Sequence, residues 1–253
     1  MTVFPAARSV PPRVALFASC LGEVTAPNTV RAAVAVLDAL GMEVAYPAGQ
    51  TCCGQPALNT GFPDAARTLA RKWLDVFAPY PVIVTPSGSC AATVRCQYAR
   101  MFGDRWSASM ERIAGRVWEF TQFVDAFGAR LPLRLPASVT WHDSCHMLRS
   151  LGARSAPRRV LGRIDGLQVH EMADADVCCG FGGTFSTSFP DISVAMADRK
   201  LAAAADSGAE CLISADPGCL MHLSTRATAG HCHLRTRHIA EIVSAALQDG
   251  SAR

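Results

Sequence analysis

Eleven cysteines stand in this chain of 253 residues, and eight of them follow one repeated spacing. Cys52-Cys53-Gly54 recurs 126 residues later as Cys178-Cys179-Gly180. Cys20 precedes the first pair by 31 intervening residues, and Cys145 precedes the second by 32. Cys90 follows Cys53 after 36 residues, and Cys219 follows Cys179 after 39. Four thiolates brought to one point hold an iron–sulfur cluster or a structural zinc ion. Adjacent cysteines on a regular strand face opposite ways, so both can serve one centre only from an irregular loop. Gly54 and Gly180 supply that freedom. In the run CCGFGGTF, Gly182 and Gly183 offer further backbone N–H groups to cluster sulfurs, and Gln55 and Thr184 are polar neighbours of the two loops. No C-x2-C zinc knuckle occurs in either half, which leaves a zinc-stabilised scaffold as the weaker alternative. Cys96, Cys211 and Cys232 fall outside the repeat and read as core or spare thiols.

The elements around the cysteines repeat as well. RVALFASC and SVTWHDSC are β-rich runs ending on the first cysteine of each set, and PVIVTPSGSC and CLISADPGC are apolar runs leading to the last. RVWEFTQFV and HLRTRHIAEIV each read as a strand entering a helix. Between them, Val30, Ala33, Val34, Leu37 and Leu40 have helical spacing behind a cap at Asn28 or Thr29. Ala66, Leu69, Trp73, Val76 and Phe77 do so behind a cap at Asp64. Strands are expected near Glu43–Tyr46, Val82–Thr85, Leu167–Glu171 and Cys211–Ser214, and a helix over Ile192–Ala205. The fold class is therefore α/β, with two tandem pseudo-symmetric repeats, each a small mostly parallel sheet flanked by helices. The repeats are expected at 1–130 and 131–253, joined near LPLRLP (Leu131–Pro136). In such sheets a site lies beyond the carboxyl ends of the strands, where all eight cysteines fall.

A hydrophobic fraction of 50% with 18% charged residues excludes a disordered chain. The net charge of +3 argues against a nucleic-acid surface. An odd cysteine count, two adjacent pairs and a proline-bearing start, MTVFPAARSVPPRV, point away from a secreted disulfide scaffold and toward reduced thiols in the cytoplasm. No apolar run reaches the roughly 18 residues of a membrane span. His222 stands three residues after Cys219 and could add a ligand, but its counterpart after Cys90 is Thr93, so its role stays open. His142 and His146 flank Cys145 and read as polar strand-end residues, with substrate or proton contact as the alternative. His231, His233 and His238 alternate as on a strand face. Glu23, Asp143 and Asp216 lie near the cysteine loops, but nothing pairs them as an acid and base; Arg95 and Arg149 could hold a carboxylate, and the catalytic residues are unassigned.

These spacings resemble the cysteine-rich CCG domain in tandem, as in the CCG-bearing component of heterodisulfide reductase and the iron–sulfur subunit of glycolate oxidase. The segments CCGQPALNTGF, PSGSC, CCGFGGTFS and HIAEI are similar to those of the lactate utilization protein A family, over roughly Val14 to Leu247. The resemblance implies an iron–sulfur electron-transfer subunit of an L-lactate-oxidising oxidoreductase that is inactive alone and works with LutB- and LutC-like partners. It implies cluster ligation by Cys20, Cys52, Cys53 and Cys90, and by Cys145, Cys178, Cys179 and Cys219. One or two clusters per chain, of the [4Fe-4S] type, would follow. In heterodisulfide reductase the last cysteine belongs to a C-x-x-C pair, whose second position here is Thr93 or His222. That departure favours a cubane over a noncubane cluster. A subunit of another 2-hydroxy-acid oxidase, or of a heterodisulfide or thiol reductase, is the alternative.

Overall fold

The computed structural model describes residues 13–230, 232 and 234–251. The described residues form eight strands, the central ones short apolar runs bounded by turns. Strands β1 (Arg13–Leu16), β2 (Glu43–Ala45), β3 (Ile83–Thr85) and β4 (Val117–Glu119) make one sheet in the order β2-β1-β3-β4. Strands β5 (Arg134–Trp141), β6 (Asp165–Val169), β7 (Cys211–Ser214) and β8 (Arg235–His238) make the second in the order β6-β5-β7-β8. Every pairing is parallel, with Val14 opposite Val44 in one sheet and Val139 opposite Val169 in the other. The order is the same in both, so the chain is α/β with two tandem copies of one unit. Strands β3 and β7 are buried along their whole length, as strands covered on both faces are.

Helices α1 (Cys20–Thr25), α2 (Pro27–Ala39), α3 (Gln55–Asn59), α4 (Pro63–Phe77), α5 (Gly88–Ala92), α6 (Tyr98–Phe102), α7 (Ala108–Ala114) and α8 (Phe120–Phe127) belong to the first unit. Helices α9 (Ser155–Leu161), α10 (Phe185–Ser188), α11 (Pro190–Asp206), α12 (Pro217–Ala229) and α13 (Ile239–Ser251) belong to the second. Two expected caps move. Helix α2 starts at Pro27 behind Ala26, because proline at the first position has its φ already set and no N–H to satisfy. Thr29 is buried instead, its hydroxyl donating to Glu241 Oε1 at 2.6 Å. Helix α4 likewise starts at Pro63 behind Phe62, and Asp64 sits in its first turn. The LPLRLP segment is only partly a linker. Strand β5 begins at Arg134, and its register with β6 shifts between Arg134 and Ala137, where Pro136 has no N–H to give the ladder.

The two units share a core. Helix α13 packs on α2, and α8 on α9, so each unit lends a helix to the other. Leu16, Val36, Phe120 and Phe123 meet Trp141, Val160, Ile213 and Val243 in one buried apolar cluster. Separate clusters lie outside each sheet, one around Phe17, Trp73, Phe77 and Tyr98, the other around Ala197, Leu201, Leu212 and Leu223. Among the described residues no helix is long and apolar enough to cross a membrane. His238 lies at the end of β8 and is buried; His231 and His233 lie outside the described residues.

Candidate metal centre

Cys20 and Cys145 follow the first strand of their sheets, the Cys-Cys-Gly loops follow the second, and Cys90 and Cys219 open helices after the third. Parallel strands put all of these places at one edge. Gly54 and Gly180 adopt φ of +89° and +92°. A Cβ on either would come within 2.9 Å of the Ala66 carbonyl oxygen or 2.6 Å of that of Ser193, so glycine is required twice for the same reason. The turn folds Gly54 N–H onto Cys52 Sγ and Gly180 N–H onto Cys178 Sγ, each at 3.4 Å. Ser87 Oγ accepts from Cys90 N–H at 3.3 Å at the start of α5. Asp216 Oδ1 accepts from Gly218 and Cys219 N–H, at 3.1 and 3.4 Å, at the start of α12.

The sulfurs form two equivalent series of contacts. One runs from Cys20 through Cys52 and Cys53 to Cys90, with Cys53 and Cys90 3.6 Å apart. The other runs from Cys145 through Cys178 and Cys179 to Cys219. All eight cysteines line a single cavity of about 260 Å³ between the units. Gly88 N–H donates to the Ala215 carbonyl at 3.0 Å, and Ser89 N–H to Asp216 Oδ2 at 2.8 Å, which joins the two last-cysteine loops across that seam.

Hydrogen bonds from Cys20, then Cys53, with the Gly54 N–H, bring the Cys52 thiol down to about 3. Cys145, Cys179 and the Gly180 N–H bring Cys178 down to about 2. The same bonds, together with burial, push Cys20, Cys53, Cys145 and Cys179 up. Each set thus favours one thiolate and holds two further sulfurs against it and a third against one of those, ready to lose their protons to a metal. Four thiols and a backbone N–H on sulfur fit a metal or iron–sulfur group.

Other expected residues divide. Gln55 and Thr184 line the cavity, and Gln55 Nε2 lies 3.1 Å from His146 Nε2 of the other unit. His146 Nδ1 is 3.6 Å from Cys145 Sγ. His222 instead meets Ser193 Oγ through Nε2 at 3.2 Å and is not on the cavity wall. Arg95 and Arg149 do not reach the cavity; Arg95 lies 3.4 Å from Gln122 Oε1, and Arg149 lies 3.5 Å from the Asp176 carbonyl. Cys96, Cys211 and Cys232 also stand away from it. Glu23 accepts from the Tyr46 hydroxyl at 2.8 Å, and Asp143 is held by a bidentate pair with Arg158 at 3.0 and 2.9 Å.

His142 departs from the expected polar strand-end role. It is fully buried, and one of its nitrogens and the Cys179 and Cys219 sulfurs lie within 4.8 Å of one another. Burial, then the Lys200 charge, brings its pKa down to about 4, so it is neutral at pH 7. Sequence reasoning missed the bridging role of Asp216, and it missed Lys200 altogether. The signal for Lys200 was available, since one of only two lysines in the chain stands on the inner face of α11.

The sequence profile of the cysteine-rich CCG domain matches the chain twice, over residues 14–95 and 139–224. The chain is therefore a tandem CCG-domain protein. It is 42% identical over 239 residues to lactate utilization protein A of Exiguobacterium sp. (strain ATCC BAA-1283 / AT1b), covering 92% of this chain and 97% of that one. It is 40% identical over 236 residues to lactate utilization protein A 1 of Bacillus cereus (strain AH820), covering 92% and 98%. The chain belongs to the lactate utilization protein A family. A crystal structure of a hypothetical protein from Helicobacter pylori shares the fold, with a TM-score of 0.66 at 12% identity. That likeness covers 98% of this chain, which spans about half (52%) of the other.

Proposed function

We propose that this protein is the iron–sulfur electron-transfer subunit of a cytoplasmic system that oxidises L-lactate to pyruvate with LutB- and LutC-like partners. The observation that carries the reading is the gathering of eight thiols, as two equivalent sets of four, on one cavity. Cys20, Cys52, Cys53 and Cys90 would hold one [4Fe-4S] cluster, and Cys145, Cys178, Cys179 and Cys219 a second. When bound, such clusters accept and pass on single electrons. Oxidation of lactate to pyruvate releases two electrons and two protons, and the two sets match the two electrons. The chain's own residues supply the rest. The Gly54 and Gly180 turns hold an N–H on sulfur, and Asp216 ties the two last-cysteine loops together.

Replacement of Cys53 or Cys179 by Ser in anaerobically purified protein is expected to remove about half of the iron and sulfide, and the double replacement nearly all. Full iron in the double variant would show that these cysteines are not ligands.

A further inference from the structure

The two sulfur sets are alike in backbone and unlike in what stands behind them. The Gly54 and Gly180 turns face the carbonyls of Ala66 and Ser193, which places those residues at equivalent positions in α4 and α11. Seven residues further along stand Trp73 and Lys200, both buried. Three residues before Cys20 and Cys145 stand Phe17 and His142, both fully buried. In the first unit these two positions make an aromatic wall, with the Phe17 and Trp73 rings edge to face at 5.5 Å and Phe77 stacked on Trp73 at 4.5 Å. In the second unit the same positions are basic. The Lys200 ammonium donates to the Asp174 carbonyl, and its charge acts on Cys178, Cys179 and His142. His142 brings a buried imidazole nitrogen to Cys179 and Cys219, all within 4.8 Å of one another. The Asp216 carboxylate also faces this set, but it accepts from the N–H groups of Ser89, Gly218 and Cys219.

We infer that His142 and Lys200 make the two sites electrically unequal, so that the cluster on Cys145, Cys178, Cys179 and Cys219 has the higher potential and is where electrons collect. The inference rests on the cluster reading above. A reduced cluster carries one more negative charge, which a neighbouring ammonium and an imidazole N–H stabilise and an aromatic wall does not. Electrons entering at the first unit would then run downhill to the second.

The test is a potentiometric titration of the full-length protein followed by electron paramagnetic resonance, with iron counted on every sample. Two reduction waves are expected, and Cys178→Ser should abolish the upper one. Lys200→Met should lower the reduction equilibrium of that wave at least tenfold, about 59 mV for one electron. His142→Phe should move it in the same direction. Lys200→Arg, which keeps the charge, should leave it close to its original place, and Trp73→Phe should not move it. Two full clusters of equal potential, loss of the lower wave in Cys178→Ser, or an unmoved upper wave in a Lys200→Met protein that keeps its iron would overturn this inference alone. Protein without iron would overturn the cluster reading with it.

Discussion

Glu119 and His238 hold equivalent places, each the last residue of a fourth strand and each accepting backbone N–H groups of the helix that follows. Glu119 Oε2 takes the N–H of Thr121 at 2.8 Å, and His238 Nδ1 takes that of Ala240 at 3.1 Å. Both side chains are buried, and burial moves them in opposite directions. Glu119 rises to about 8 and His238 falls to about 4. Unfolded, they would titrate near 4.5 and 6.5. From pH 4.5 to 8 the folded protein keeps a proton on Glu119 that the unfolded chain has lost, so its contribution to stability falls as pH rises through that window. From pH 6.5 down to 4 the unfolded chain gains a proton on His238 that the folded protein excludes, so that contribution falls as pH drops. Urea midpoints measured from pH 4 to 9 should therefore lose part of their alkaline decline in Glu119→Gln and part of their acid decline in His238→Asn. Unchanged slopes in both variants would show that neither group carries the proton linkage.

Loops and the first turns of helices carry the cysteines, and one carboxylate joins the elements that carry the last of each set. Asp216 caps α12 through Gly218 and Cys219 and also takes Ser89 N–H, the residue beside Cys90. Asp216→Ala removes a helix cap and should cost about 1–2 kcal/mol in chemical denaturation. Because the bond reaches both units, the variant should disturb the signals of both clusters, whereas a cap serving α12 alone would disturb one. These elements were legible to different degrees. Cysteine positions and the apolar strands could be read directly, because ligation chemistry and burial each demand a residue type at a place. Helix starts shifted where proline, rather than Asn28 or Asp64, governed the first turn. The Ser89–Asp216 bond joins residues 127 positions apart, and the Lys200 charge acts on His142 from 58 positions away; no local pattern encodes proximity of that kind.

At the scale of the whole molecule the repeat does not divide into two independent bodies. The central cluster takes fully buried side chains from both units, among them Leu16, Val36, Phe123, Trp141, Ile213 and Val243. At about 1.5–3 kcal/mol for each large apolar side chain, exposing this face would cancel a net stability of about 5–15 kcal/mol. The stretches 1–130 and 131–253, which we propose as the two repeats, should each be aggregated or lack near-ultraviolet circular dichroism when made alone, and should recover it when made together. Cooperative unfolding of either stretch by itself would show that the shared core is not required. The same closeness brings two sulfur sets to one cavity, and the proposed function depends on what they hold. The most direct test is iron, zinc and acid-labile sulfide per chain in protein purified without oxygen. About eight iron and eight sulfide are expected; zinc without sulfide would overturn the cluster reading.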